Sequence, residues 1–215
     1  MLFSLRGETH SFSGAVLLLA IVLLSGCSIN HHVAADYDQY LVNNQKRSNL
    51  PETDMVVDYQ YSEQTERHRY EFRAATVGYA NLWIVEFGKI LDSTLRSQDV
   101  QSAFKEIHRA SSSTSQDGFH LIFDLTRYEF IDYGAHVELV VSLLDGNMEV
   151  FQRQYAADGK TQGVKMWSAG VFGMKNAIQQ STKLAIDEIL RELLMDLNAV
   201  GLSSQTIAPS MHDQS

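Results

Sequence analysis

The sequence predicts an α+β domain: an antiparallel sheet of about four to five strands with two helices packed on one face. Two observations carry this. Between Phe119 and Tyr155 apolar residues alternate with polar ones over three successive runs, the period of half-buried strands. From about Lys175 to Asn198 the period changes to that of a helix with a broad apolar stripe. A two-layer packing is the simplest way to bury one strand face and the helical stripes together.

The elements follow in order. Met55, Val57, Tyr59 and Tyr61 alternate with Val56, Asp58 and Gln60 and predict a first strand. A second run sets His68, Tyr70, Phe72 and Ala74 against Arg67, Arg69, Glu71 and Arg73. With Ser62 to Thr65 as a turn, this reads as a hairpin, or as one strand followed by an irregular edge. From Tyr79 onward Trp83, Phe87, Ile90, Leu91 and Leu95 fall close to one helical face, which predicts the first helix. Gly88 weakens that helix by roughly 1 kcal/mol, a cost that burial can override. Ala103 to Ile107 reads either as a short strand or as the end of that helix. Ser111 to Gly118 is a polar loop.

Phe119, Leu121, Phe123 and Leu125, then Ala135, Val137, Leu139, Val141 and Leu143, predict two long strands. Asp145-Gly146-Asn147 tolerates positive φ and turns the chain back into Met148 to Tyr155. In the last helix Ile178, Ala185, Ile186, Ile189, Leu190, Leu193, Leu194 and Leu197 form the stripe. Lys183, Asp187 and Arg191 have the spacing of helical ion pairs.

Ahead of this domain, Ala15 to Leu24 is a ten-residue apolar run. It is too short for a span of roughly 20 residues and right for a signal-peptide core. It ends in Leu24-Ser25-Gly26-Cys27, which places the chain's single cysteine after small residues. The n-region carries only Arg6, offset by Glu8. The four residues resemble the bacterial lipobox. That resemblance implies cleavage before Cys27, a diacylglycerol on its sulfur and an acylated amino group, together an anchor beyond the two-signal requirement. Ser28 lacks the aspartate that retains such proteins at the inner membrane, so the resemblance implies the outer membrane, with the domain facing the periplasm.

The resulting division is a signal peptide over 1–26, a lipidated end and flexible tether over 27–52, a domain over 53–200 and a disordered tail over 201–215. Removal of 26 of the 215 residues leaves 189, enough for one domain. A tether of about 25 residues would span roughly 25 to 30 Å. The net charge of −9 argues against nucleic acid and against a polybasic membrane face. With Cys27 acylated, the domain has no disulfide, thiolate nucleophile or cysteine metal site.

Most candidate chemistry fails on spacing. Gly159-Lys160-Thr161 lacks the earlier glycine of a phosphate loop, because Gln154 stands there. Trp167-Ser168-Ala169-Gly170 lacks the first glycine of a nucleophile elbow, because Met166 takes its place. His68, His108, His120 and His136 are isolated in sequence and read as exposed strand residues. Asp124, Glu129, Asp132 and Glu138 are ordinary for surface strands, and an acid/base pair among them would need a cleft and a shifted pKa. No cofactor and no metal are expected.

One segment invites a partner. Gly159 to Gly173 contains four glycines beside Met166, Trp167, Val171 and Phe172, a mobile backbone carrying side chains that favour burial. Phe172 is expected to cap the core beneath the last helix, and Trp167 is open between core and partner. Met166, Trp167 and Val171 are the partner-binding candidates. Tyr79, Asn81 and Trp83 form a second candidate group, with core packing as the alternative.

The order of elements, with Phe123-Asp124-Leu125-Thr126 to Phe130, Val137-Glu138-Leu139-Val140-Val141, Gln154-Tyr155 and Ala185 to Leu197, resembles the YajG-like small lipoproteins. It also resembles the auxiliary lipoproteins of envelope ABC transport systems and, more remotely, lipopolysaccharide-assembly lipoproteins. The resemblance implies a non-enzymatic outer-membrane lipoprotein, an accessory or adaptor of an envelope assembly, transport or secretion machine. Its implied partners are the inner leaflet of the outer membrane, through the acyl chains, and one or more envelope proteins, with homo-oligomers left open. The alternative is a periplasmic lipid- or glycan-binding carrier. A groove above about 300 Å³ speaks for the carrier, and an exposed patch around Trp167 for the adaptor. A hydrolase would need a convergent His, Ser or carboxylate set in a pocket.

Overall fold

The computed structural model describes residues 28–44, 49–110, 118–160 and 163–206, the side chains of 76, 163–169 and 201–206 excepted. Cys27 and residues 1–26, read above as a signal peptide, lie outside the described residues, as do 207–215.

The α+β class holds, in two layers. Five strands form the large sheet: β2 (Thr53–Tyr61), β5 (Phe104–Arg109), β6 (Phe119–Ile131), β7 (Gly134–Asp145) and β8 (Met148–Asp158), in the order β5-β2-β6-β7-β8. The meander β6-β7-β8 is antiparallel as expected, whereas β2 runs parallel to both neighbours, so the sheet is mixed. The reason lies at Ser62. Its side chain accepts from the Thr65 backbone N–H and caps the short helix α2 (Glu63–Arg67), so the chain leaves the sheet here instead of turning back in a hairpin. A β-bulge between Leu125 and Arg127 shifts the alternation of β6, so that Leu121, Phe123 and Leu125 and then Tyr128 and Phe130 all face the core.

A second sheet of three strands was not expected. It joins β1 (Ile29–His32), β4 (Asn81–Val85) and β3 (Tyr70–Phe72) in the order β1-β4-β3. The residues read as the start of the first helix are therefore a strand, and the helix proper, α3, runs over Phe87–Leu95. Trp83, Ile84 and Val85 are all buried; a strand covered on both sides shows no alternation and imitates a helix segment. Ala103 to Ile107 resolves into the end of α4 (Gln98–Ala103) and the start of β5.

The expected tether over 27–52 is corrected in its first half. After β1 come a 3-10 turn (Val33–Asp36) and α1 (Tyr37–Asn43), and Val33, Tyr37 and Leu41 lie in the core. Gln179 fastens the turn by donating to the Val33 carbonyl (3.0 Å) and to Asp36 (2.8 Å), and Lys175 pairs with Asp36 at 2.8 Å. Burial of three apolar side chains and satisfaction of the turn's polar groups outweigh the polar composition of the segment.

The last helix, α5 (Gly163–Thr206), lies across β7 and β8 and buries the whole predicted stripe. It begins earlier than the sequence suggests, so most of the glycine-rich segment is helical. Gly170 breaks it with φ 56° and ψ −134°, outside the helical region and strained for any residue with a Cβ. Helices α3 and α5 and the small sheet form one layer, and the other face of the large sheet is open, with polar residues such as Asp58, His120 and Glu138 interspersed with Val56, Ile122 and Val140. Among the described residues no helix is long and apolar enough to cross a membrane.

Candidate functional site

The most organised polar surface is a groove along α3, and its centre is Asp92. Helix α3 buries Phe87, Ile90, Leu91 and Leu95 and thereby turns Lys89, Asp92 and Arg96 toward the groove. Gly88 lets it approach α2 closely. A Cβ there would stand 2.5 Å from the Thr65 carbonyl oxygen and 3.0 Å from the Glu66 Cα. The helix thus packs where no larger residue fits.

Asp92, with a side chain only 15% exposed, is a four-way acceptor. Tyr61 donates its hydroxyl at 3.2 Å and Tyr59 at 3.5 Å, Arg96 donates from Nε at 2.9 Å, and Arg109 from Nη1 at 3.3 Å. Arg109 also donates to Glu66 at 2.7 Å, and its guanidinium lies 5.3 Å from the centre of the Tyr61 ring. Burial, reinforced by neighbouring Tyr59 and Asp92, pushes the Tyr61 hydroxyl well above its ordinary range, and burial does the same for Tyr59. Both phenols stay protonated and serve as donors to the carboxylate.

Around this network two adjoining hollows of about 240 and 340 Å³ share Asp38, Ser93 and Arg96. The larger is walled by Ala34, Asp38, Tyr61, Glu66, Lys89, Asp92, Arg96 and Arg109. Lys183 borders the smaller one. It pairs with Asp187 beneath α1, and burial, only partly offset by Lys183, raises the Asp187 carboxyl above its usual range. The groove is therefore charged, open and internally neutralised, with exposed Lys89, Arg96 and Arg109 along its rim.

The residues singled out from sequence are distributed otherwise. Val171 is half-buried against the core, and the side chains of Met166 and Trp167 lie outside the described residues, although their backbone is helical. Phe172, expected to cap the core, is 85% exposed; Val171 and Met174, three residues apart, share the inward face of the helix and Phe172 lies off it. Trp83 is fully buried beneath the His31 ring at 4.4 Å, the packing role, while Tyr79 is 70% exposed.

Of the four carboxylates singled out on the meander, Asp124, Glu129 and Glu138 are held as structural pairs, and Asp132 lies in the β6-β7 turn with φ 49°. Arg127 donates to Glu129 at 2.7 Å and to Glu138 at 3.3 Å, and Asp124 accepts from Ser62. His136 meets Asp158 at 2.6 Å, and His68 is packed between Phe87 and Tyr128. Among the described residues no three metal-ligating side chains come together. Sequence reasoning missed the Asp92 network because its members come from β2, α2, α3 and β5. The one local signal was Asp92 with Arg96, a four-residue helical ion pair.

No family model and no curated protein sequence matches the chain. Solved structures do. A Xanthomonas campestris protein of the DUF330 family superposes with a TM-score of 0.48 at 17% identity, covering 74% of this chain and 91% of its own. A Caulobacter crescentus CB15 protein provisionally described as a lipoprotein gives 0.39 at 16% identity, with 69% and 91% covered. A hypothetical protein of Chlamydia trachomatis gives 0.38 at 15% identity, with 70% and 99% covered.

Proposed function

We propose that the chain is a non-enzymatic lipoprotein of the bacterial outer membrane, anchored through Cys27, whose periplasmic domain serves as an accessory or adaptor subunit of an envelope assembly, transport or secretion machine. The observation that supports an adaptor is the α3 groove. Arg96 and Arg109 are held in fixed positions by Asp92, and Lys89 by Glu86, so a partner meets an ordered array and little side-chain freedom is lost on docking. Its rim carries arginines, the charged residue enriched at protein interfaces. Alternating Lys89, Glu66, Arg96 and Asp38 would select a partner of matching charge pattern.

The same groove speaks against the carrier. At about 340 Å³ it is large enough for a small ligand, yet its walls are charged where a lipid would need apolar ones. Arg109 covers the Tyr61 ring face on which a sugar would stack. The position of Cys27, one residue before the described domain, accords with an anchor at the domain's own edge.

The test is photocrosslinking in intact cells from a probe at Lys89, with Val56 on the open sheet face as the comparison site. The expected result is one envelope protein captured from Lys89, absent from Val56 and lost in Arg96→Glu. Equal capture from both sites, or capture indifferent to Arg96→Glu, would remove the groove from the interface. Cys27→Ala should accumulate as unprocessed precursor; its continued fractionation with the outer membrane would refute the anchor.

A further inference from the structure

We infer that the end of the domain from which the chain leads back to Cys27 is a membrane-docking surface, so that the domain lies directly on the phospholipid headgroups. The inference rests on the lipid-anchor reading and goes beyond it, because an anchor alone would permit a domain held clear of the bilayer.

The geometry begins with reach. Ile29 is the first residue of β1 and is two residues from Cys27. Two extended residues span at most about 7 Å, comparable to the headgroup layer on one side of a bilayer, which is roughly 5 to 8 Å thick. An acylated Cys27 therefore sets Ile29 at headgroup depth. No slack follows, since β1 is paired with β4 from Ile29 onward and the next turn is fastened to α5.

What surrounds Ile29 suits that depth. Its backbone N–H donates to the Ala80 carbonyl at 2.8 Å, which places it beside Tyr79. Both are exposed, Ile29 by 53% and Tyr79 by 70%. Arg73 is exposed at the same point and donates to Ser28 Oγ at 3.0 Å and to the Tyr79 carbonyl. An amphipathic ring with a neighbouring guanidinium is the combination found at the level of lipid phosphates.

Phe172 belongs to the same end. Tyr128 bonds Thr182, and the Ala135 backbone N–H donates to Ser181, so this part of α5 crosses the sheet beside the β6-β7 turn. The residues preceding it run past that end of the sheet, and Phe72, stacked on Phe130, brings β3 and the 3-10 turn at Ala75–Val77 that leads to Tyr79 to the same end. Ile131, at the tip of the β6-β7 turn, is also exposed. The opposite end of the 13-residue strand β6 lies roughly 40 Å away. The chain's net charge of −9 gives no general attraction to anionic lipid, so contact depends on this local apolar end.

The experiment uses the full-length lipidated protein in vesicles of phosphatidylethanolamine and phosphatidylglycerol, with Cys27 acylation verified by mass spectrometry. A cysteine introduced at Ala75 or Ala80 is labelled with an environment-sensitive fluorophore, and Met148 at the far end is labelled for comparison. Docking predicts a blue-shifted emission and quenching by headgroup-level nitroxide lipids at Ala75 and Ala80 but not at Met148. In the double variant Tyr79→Glu, Phe172→Glu the shift and the quenching should disappear while flotation with the vesicles persists. If Ala75 and Ala80 report the same aqueous environment as Met148 in protein that floats, the docking inference is overturned. If Cys27 is unmodified and the protein does not float, the anchor itself fails.

Discussion

The α3 groove and the chain-exit end both face solvent, but they commit their side chains in opposite ways. Along α3 every charge has a fixed counter-charge, and the hydroxyls of Tyr59 and Tyr61 are turned onto Asp92. At the chain exit Ile29, Tyr79 and Phe172 are exposed and apolar in their bodies. The first surface is held in place by its own network, and removal of Asp92 at its centre is felt in the elements it joins. The second is attached to a well-packed frame yet contributes little to it, so its residues are free to serve whatever lies outside.

This contrast breaks most visibly at Asp92. Asp92→Ala leaves two phenols without their acceptor and releases Arg96 and Arg109. We expect a loss of about 2 kcal/mol in urea unfolding, chiefly from phenols that lose their acceptor, with a smaller share from the two ion pairs, whose arginines face solvent. Asp92→Asn retains an acceptor and should lose clearly less. Equal stability of Asp92→Ala and the parent would show that the groove is not held by this network.

Gly88→Ala comes next. Its Cβ would press on the Thr65 carbonyl, which is backbone and has no rotamer to yield, so α2 and α3 must separate. The expected loss is about 2 kcal/mol, with a matching fall in the urea midpoint.

These two residues also mark what the sequence made legible. The meander and the last helix were readable because each has one buried and one wet face, so alternation and stripe survive in the residue order. Trp83, Ile84 and Val85 are buried on all sides and lost that signal, which let the sequence read as helix. The polar segment after Cys27 concealed Val33, Tyr37 and Leu41, whose four-residue spacing was the one hint of a packed turn and helix. The parallel neighbours of β2 followed from a single capping serine, Ser62. Of the site, nothing was read from sequence: the spacing of Asp92 and Arg96 was the one local signal, and Tyr59, Tyr61, Glu66 and Arg109 arrive from other elements, with no local pattern to join them.

A smaller effect separates the two regions by pH. His68 lies between them, its ring against Phe87 and Tyr128 and its Nδ1 buried without a partner. Burial holds its pKa below the ordinary 6.5. As the pH falls through that ordinary value the unfolded chain takes up the proton first, so stability is full above it and declines toward the lower, folded-state pKa. Urea midpoints measured from pH 7 down to pH 5 should fall less steeply in His68→Leu than in the parent. An unchanged slope would mean that His68 ionises as freely in the fold as outside it.

The smallest expected effect on stability is at Phe172, and it sharpens the comparison most. Met174, two residues on, is buried in the core, whereas Phe172 is 85% exposed. Phe172→Ser should shift unfolding by no more than about 0.5 kcal/mol, while Met174→Ala, which opens a cavity, should cost about 2 kcal/mol or more. A large aromatic side chain whose removal leaves the fold intact is available to whatever lies outside the domain. Helical periodicity sets its outward direction, because Val171 and Met174, three residues apart, share the face turned to the core and Phe172 lies off it. If Phe172→Ser instead destabilises as much as Met174→Ala, the ring packs on the domain in solution. The chain-exit end would then be closed, like the α3 face, by the protein itself.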